Sequence, residues 1–136
     1  MVIVVLGILA AFALPRFANF SGEARLASIN GALASVRSAS AVVHSAALVG
    51  NQTGATGTVT IEGQPIATVH GYMVATVAAV TTAAQLSGEY TVTANTATPP
   101  VATVTLGTCS FTYTQAGAST TPAAVSTVTG AVSGGC

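Results

Sequence analysis

The sequence predicts an α+β fold in which a long N-terminal α-helix packs on an antiparallel β-sheet head with a C-terminal disulfide. Three observations support this prediction. Helix-like periodicity runs through the first 49 residues, short alternating segments rich in Thr and Val follow, and only two cysteines are present, Cys109 and Cys136. With 136 residues the chain has the size of one domain.

The first segment, residues 1–15, is a hydrophobic run that ends at Pro15. Met1 to Leu14 carry no charge, and the run is several residues shorter than the roughly 20 that span a bilayer. Three interpretations stay open: a cleaved signal peptide, a buried core helix, or the visible part of a longer hydrophobic helix. The small-residue pattern Ala11-Phe12-Ala13 favours a signal peptide, whereas the lack of a basic n-region argues against one.

The second segment, residues 16–50, has the pattern of an amphipathic helix. Glu23, Asn30 and Arg37 recur every seven residues and indicate a solvated strip on another face. We expect the helix to end at Gly50-Asn51, with Gly50 as the left-handed cap. The apolar stripe recurs at spacings of three, four and seven residues and consists of Leu26, Ile29, Leu33, Val36, Val43 and Ala47.

The long helix is predicted to protrude from the head. Residues 1–49 would span about 73 Å at 1.5 Å per residue, whereas a compact domain of this size has a radius of gyration of about 14 Å. The protruding part is apolar on every side and therefore needs lipid or other copies of the chain. Gly7 and Pro15 both weaken it, so we expect bending or local melting between them.

The third segment, residues 51–136, predicts a β-rich head. Cys109 and Cys136 suit a disulfide in an oxidising compartment better than a metal site, and closing that loop contributes roughly 3 to 4 kcal/mol in the chain-entropy model. The predicted elements are a hairpin of Thr58–Ile61 and Pro65–Val69, a helix over Val74–Leu86, and strands at Glu89–Ala94, Val101–Leu106, Cys109–Thr114 and Ala124–Val128.

The composition predicts neither an enzyme nor a cofactor or metal site. Charged residues are 4% of the chain, hydrophobic residues 51%, and three Arg balance three Glu, so nucleic acid gains no electrostatic attraction. No nucleophile elbow, phosphate loop, dinucleotide fingerprint or metal spacing is present.

His44 is expected to pack under the sheet and His70 to be structural. The hydroxyls of Ser119-Thr120-Thr121-Pro122 resemble O-glycosylation acceptors, and Asn51-Gln52-Thr53 is a sequon.

The segment VIVVLGILAAFALPRF, continued by SGEARLASINGALASVRSA, resembles the N-terminal helix of bacterial type IV pilins. The residues SGEARL, GYM, CSFTYT and SGGC are similar to major pilins of the mannose-sensitive haemagglutinin type. The close likeness covers about Val2 to Val49 and implies the pilin fold. Gly7 and Pro15 fall where the family places its helix-weakening residues. The family's N-methylated Phe and its assembly Glu have no counterpart upstream of Val2.

This resemblance implies the major structural subunit of an extracellular type IV pilus, serving surface adhesion or motility. Subunits would be anchored in the inner membrane, then taken up by the pilus assembly machinery into a helical homopolymer that contacts a host or abiotic surface. The chain itself would bind no nucleotide. Arg16 and Glu23, a heptad apart, are the candidate intersubunit charges. The alternatives are a type II secretion pseudopilin and a secreted binding module with a cleaved signal peptide.

Overall fold

The computed structural model describes residues 2–18, 20–131 and 135–136, and their side chains except those of 11–18 and 20. A long helical region packs against antiparallel sheets, which confirms the predicted α+β fold. The helices are α1 (Val2–Ala18), α2 (Phe20–Val49) and α3 (Val77–Ala84). The strands are β1 (Gly57–Ile61), β2 (Gln64–Val69), β3 (Tyr72–Met73), β4 (Thr91–Asn95), β5 (Val101–Leu106), β6 (Cys109–Thr114) and β7 (Ala124–Val125).

The strands form two sheets, where the sequence had suggested one. The first has the order β1-β2-β3 and the second β4-β5-β6-β7, with every neighbouring pair antiparallel. The predicted β1–β2 hairpin is confirmed, with Val59 opposite Ile66. Its two-residue turn consists of Glu62 and Gly63, both at positive φ, as a type I′ turn requires.

Several elements differ from the predicted ranges by one or more residues, and three of the differences have local reasons. The strand β3 was not predicted, because two residues carry too little alternation to be recognised. The helix α3 begins at Val77 and not at Val74, since the Thr76 side chain caps it and accepts the Ala79 amide at 3.2 Å. The last strand stops at Val125, although the Ser126 amide still donates to the Thr112 carbonyl of β6 at 2.9 Å and an isolated bridge pairs Thr129 with Ser110.

The helix α2 ends with a Schellman motif. The Gln52 amide donates to the Ala47 carbonyl at 2.7 Å and the Asn51 amide donates to the Leu48 carbonyl at 3.3 Å. The left-handed residue is Asn51, with φ of 54°, so the prediction that Gly50 takes this role was wrong. An Asn side chain tolerates the left-handed region better than most side chains do, which lets it replace glycine here.

The core lies where α2 crosses both sheets, and α3 closes one side of it. The predicted apolar stripe is confirmed: Leu26 is half-buried and the other five residues are buried. The predicted solvated strip of Glu23, Asn30 and Arg37 is exposed. The largest fully buried side chains on the sheets are Ile66, Met73, Val104, Phe111 and Tyr113.

Tyr113 joins the two sheets through the core. It lies on β6, and its hydroxyl donates to the Met73 carbonyl on β3 at 2.8 Å. Burial raises the pKa of the Tyr113 phenol far above its usual range, and this outweighs the opposite effect of a hydrogen bond with Ser40. The phenol therefore stays neutral in the folded protein at every physiological pH.

Candidate functional site

The N-terminal part of α1 is a continuous exposed apolar surface. We call residues 2–10 the arm, and all nine of these residues are exposed. Successive residues project about 100° apart around a helix, so the arm is apolar on every side. An exposed apolar surface of this extent marks a site of contact with protein or membrane. Its large side chains are 55% to 85% exposed and are Val2, Ile3, Val4, Val5, Leu6, Ile8 and Leu9.

The residues expected to weaken the arm lie in helical backbone. Gly7 and Pro15 both fall within α1, and a side chain added at Gly7 would meet no atom within 4 Å. The Pro15 side chain lies outside the described side chains. A proline within a helix removes one backbone hydrogen bond, so local melting near Pro15 remains a prediction.

The candidate charge pair is only half described. Glu23 lies in the first turn of α2 with an exposed side chain, where its negative charge suits the positive end of the helix dipole. The Arg16 side chain lies outside the described side chains. An intersubunit contact between Arg16 and Glu23 therefore stays a prediction.

A stripe of small residues on α2, which sequence reasoning missed, runs along its exposed side. Its spacing alternates between three and four residues over three heptads, so its members share one face nearly opposite the buried stripe. We call this stripe the seam. The signal was present in the sequence, but Ala and Ser are so common here that it did not stand out. The seam consists of Ala24, Ala27, Gly31, Ala34, Ser38, Ala41 and Ser45, all exposed.

The two cysteines form the predicted disulfide, which joins Cys109 and Cys136. Cys109 is fully buried at the start of β6. The Cys136 amide donates to the Gly22 carbonyl at 3.0 Å, so the bonded residue reaches the first turns of α2. The disulfide therefore connects the second sheet to the part of α2 that lies nearest the arm.

Both histidines line a shallow cleft of about 550 Å³ near the far end of α2. His44 is half-buried and stacks on Tyr72 with ring centroids 4.0 Å apart, so it lies at the cleft and not under a sheet as expected. Its Nδ1 lies 3.0 Å from the Gly71 carbonyl, which can only accept, so Nδ1 carries the proton. The His70 backbone is held by donation of its amide to the Gly54 carbonyl at 2.7 Å.

The described residues bring few reactive groups together. Within residues 2–18, 20–131 and 135–136, no group of three or more His, Cys, Asp or Glu side chains could hold a metal ion. Glu62 lies in the β1–β2 turn and forms a short hydrogen bond with Gln85, whereas Glu89 accepts from Ser87 at 3.1 Å. The carboxylates thus lie outside the cleft that the two imidazoles line.

One described helix, Ser21–Val49, is long and apolar enough to cross a membrane by length and composition alone. The same segment packs its apolar stripe on the sheets, as the core helix of a soluble head does. Comparison of the chain with protein-family models, with curated proteins and with solved structures finds no match. We therefore infer the function from the chain's own surfaces.

Proposed function

We propose that the chain is the major structural subunit of a type IV pilus, of the mannose-sensitive haemagglutinin type, and not an enzyme. The observation that carries the proposal is the arm, whose seven large apolar side chains are all more than half exposed. Burying such side chains is worth about 25 cal/mol per Å² of apolar surface. The arm therefore needs an apolar environment that a single chain in water does not supply.

Lipid and other copies of the chain can both provide that environment. The apolar part of α1, residues 2–14, extends about 20 Å and so would enter about two thirds of the roughly 30 Å hydrocarbon core of a bilayer. Before assembly the arm would lie in the inner membrane. In the filament, arms of neighbouring subunits would replace the lipid, and Gly7 and Ala10 would permit close helix approach.

The seam gives the arm a second surface to contact. Its members carry at most a hydroxyl or a methyl group, so another helix can approach α2 closely on that side. Large side chains on the arm of one subunit complement small side chains on the seam of another. This contact would use different surfaces on the two subunits, so it can repeat from one subunit to the next, as a helical filament requires.

The outer surface of the head would serve adhesion or motility. Glu62 and Glu89 are exposed there, and threonine hydroxyls supply much of the remaining polarity. Adhesion is the role we favour, on family resemblance alone. The exposed Ser119-Thr120-Thr121-Pro122 turn is a candidate carrier of glycans, and an intact mass equal to the sequence mass would exclude modification.

The test is electron microscopy of material sheared from cells that express the chain, with the subunit identified by mass spectrometry. We expect thin helical filaments whose subunit retains the arm. A variant with Leu6→Glu should lack filaments, whereas the matched Leu48→Glu variant, altered at an equally exposed leucine in α2, should keep them. Soluble monomers beginning at Leu14 or later would overturn the proposal and favour the secreted module. Short assemblies confined beneath the outer membrane would favour the pseudopilin.

A further inference from the structure

Gly135 and Cys136 lie against the first turns of α2, at the end of α2 that follows α1 and the arm. We propose that these two residues are a latch that holds this part of α2 to β6 and thereby sets the direction of the arm for assembly. The second half of this statement rests on the proposed function. The first half concerns the isolated subunit and is tested separately.

Cys136 makes three connections that together form the latch. Its sulfur is bonded to Cys109, which is fully buried at the start of β6. Its amide donates to the Gly22 carbonyl at 3.0 Å. Its main-chain oxygen accepts from Arg25 Nη1 at 3.4 Å. Cys136 is thus bonded covalently to the second sheet and held to the first turns of α2 by hydrogen bonds.

The approach of the latch to α2 requires glycine at position 135. Its φ is +95°, and a Cβ built there would lie 2.0 Å from the Gly22 carbonyl carbon and 2.1 Å from its oxygen. Gly107 lies close to Cys136 on the other side, where a Cβ would approach the Cys136 oxygen to a tight 3.1 Å. Backbone that approaches backbone this closely leaves no room for a side chain.

A small change of angle at the latch would move the arm by a large distance. Gly22 lies at the start of α2, and α1 precedes it with a length of about 26 Å. While α1 is helical throughout, as in the isolated subunit, a tilt of about 10° at its base would move its far end by about 4.5 Å, roughly half the 8–10 Å between packed helix axes. Arms that must pack side by side therefore need a fixed base.

The test compares Gly135→Ala with Gly117→Ala in the full chain. Gly117 is exposed, and a Cβ there would meet only Pro99 at an ordinary 3.7 Å, so it is the matched control. In detergent micelles, nuclear magnetic resonance would follow hydrogen exchange of the Cys136 amide, with the Val104 amide as a check that the core is folded. We expect about tenfold faster exchange at Cys136 in Gly135→Ala and no change in Gly117→Ala.

A second variant tests the latch even if Gly135→Ala does not fold. Arg25→Gln removes one contact from an exposed side chain, and we expect two- to threefold faster exchange at Cys136. Filament yield is then measured for the same proteins. It should fall several-fold in Gly135→Ala and stay unchanged in Gly117→Ala.

Three outcomes separate the two halves of the proposal. Unchanged exchange at Cys136 in a folded Gly135→Ala protein would overturn the latch. Faster exchange with a normal filament yield would overturn its role in setting the arm. If the unaltered chain and Gly117→Ala form no filaments, the proposed function fails, while the exchange data still decide whether the latch exists.

Discussion

The arm and the buried stripe of α2 are both apolar, helical and close in sequence, yet their exposure is opposite. Arm residues such as Ile3 are up to 85% exposed, whereas Ile29, Val36 and Val43 in the stripe are fully buried. Hydrophobicity alone therefore does not determine burial in this chain. The arrangement of the apolar residues around the helix does.

A stripe confined to one face can be covered by one partner surface, and the two sheets supply it. The arm has apolar residues on every side, so one sheet could cover at most half of it and would leave the rest in water. Only an environment that surrounds the helix, such as lipid or several other helices, removes all of this surface from water.

The largest effect should come from placing a charge in the arm. Leu9→Glu puts a carboxylate on a surface that assembly removes from water. If the proposed function holds, we expect the filament yield to fall at least about tenfold. The free energy of unfolding of the detergent-solubilised head should change by less than about 0.5 kcal/mol, because the side chain is exposed. Filament yield and chemical denaturation measure the two quantities.

Val49→Glu is the control for that charge, because Val49 is 91% exposed at the other end of the long helical region. It should leave both quantities unchanged. If Val49→Glu abolishes filaments as completely as Leu9→Glu does, the arm has no special role in assembly and the contrast between the two regions fails.

The second prediction compares the same truncation in the two regions. Ile29→Ala removes fully buried methyl groups and should lower the free energy of unfolding by about 2–5 kcal/mol. Ile3→Ala, in the arm, should change it by less than about 0.5 kcal/mol. Urea denaturation of both variants in detergent measures the difference, and equal losses would mean that the arm packs on the head in solution.

Much of this contrast could be predicted from the sequence, because a period of 3.6 residues is a strong signal over thirty positions. The buried stripe, the β1–β2 hairpin and the disulfide were all predicted. Short-range patterns were less informative. The strand β3 has two residues, and the capping roles of Thr76 and Asn51 depend on where neighbouring elements stop.

The seam and the latch could not be recognised in the same way. Seven exposed small residues are unremarkable in a chain with 27 Ala and 11 Ser until the structure shows that they share one side. The contact of Gly135 with Gly22 joins residues more than a hundred positions apart, and no local pattern encodes it.

The third prediction uses pH to examine the buried region alone. The ordinary pKa of a tyrosine is 10.0, and burial raises that of Tyr113 in the folded protein. Above pH 10 the unfolded chain loses this proton while the folded chain keeps it. The free energy of unfolding should therefore fall by about 1.4 kcal/mol per pH unit above pH 10, with no such loss below it.

Tyr113→Phe should lose most of that fall and keep a smaller one from Tyr90, whose pKa is raised by burial and by Glu89. At pH 8 it should be about 1 kcal/mol less stable because the hydrogen bond to Met73 is gone. Denaturation curves at pH 8, 10 and 11 for both proteins provide the measurement. Parallel losses in the two proteins would show that another group is responsible.

The last expected effect on stability has the opposite sign and examines the seam. Gly31 is exposed within α2, and a Cβ added there would meet no atom within 4 Å. Gly31→Ala and Gly31→Leu should both raise the free energy of unfolding by up to about 1 kcal/mol, since either residue favours a helix more than glycine does.

The two variants differ in the size of the side chain that they add to the seam. If the seam packs against a neighbouring subunit, Gly31→Leu should lower filament yield several-fold while Gly31→Ala changes it little, because a leucine holds the helices apart and a methyl group does not. Equal filament yields from the two stabilised variants would show that this side of α2 faces solvent in the filament. Of the arm and the seam, the arm alone would then take part in assembly.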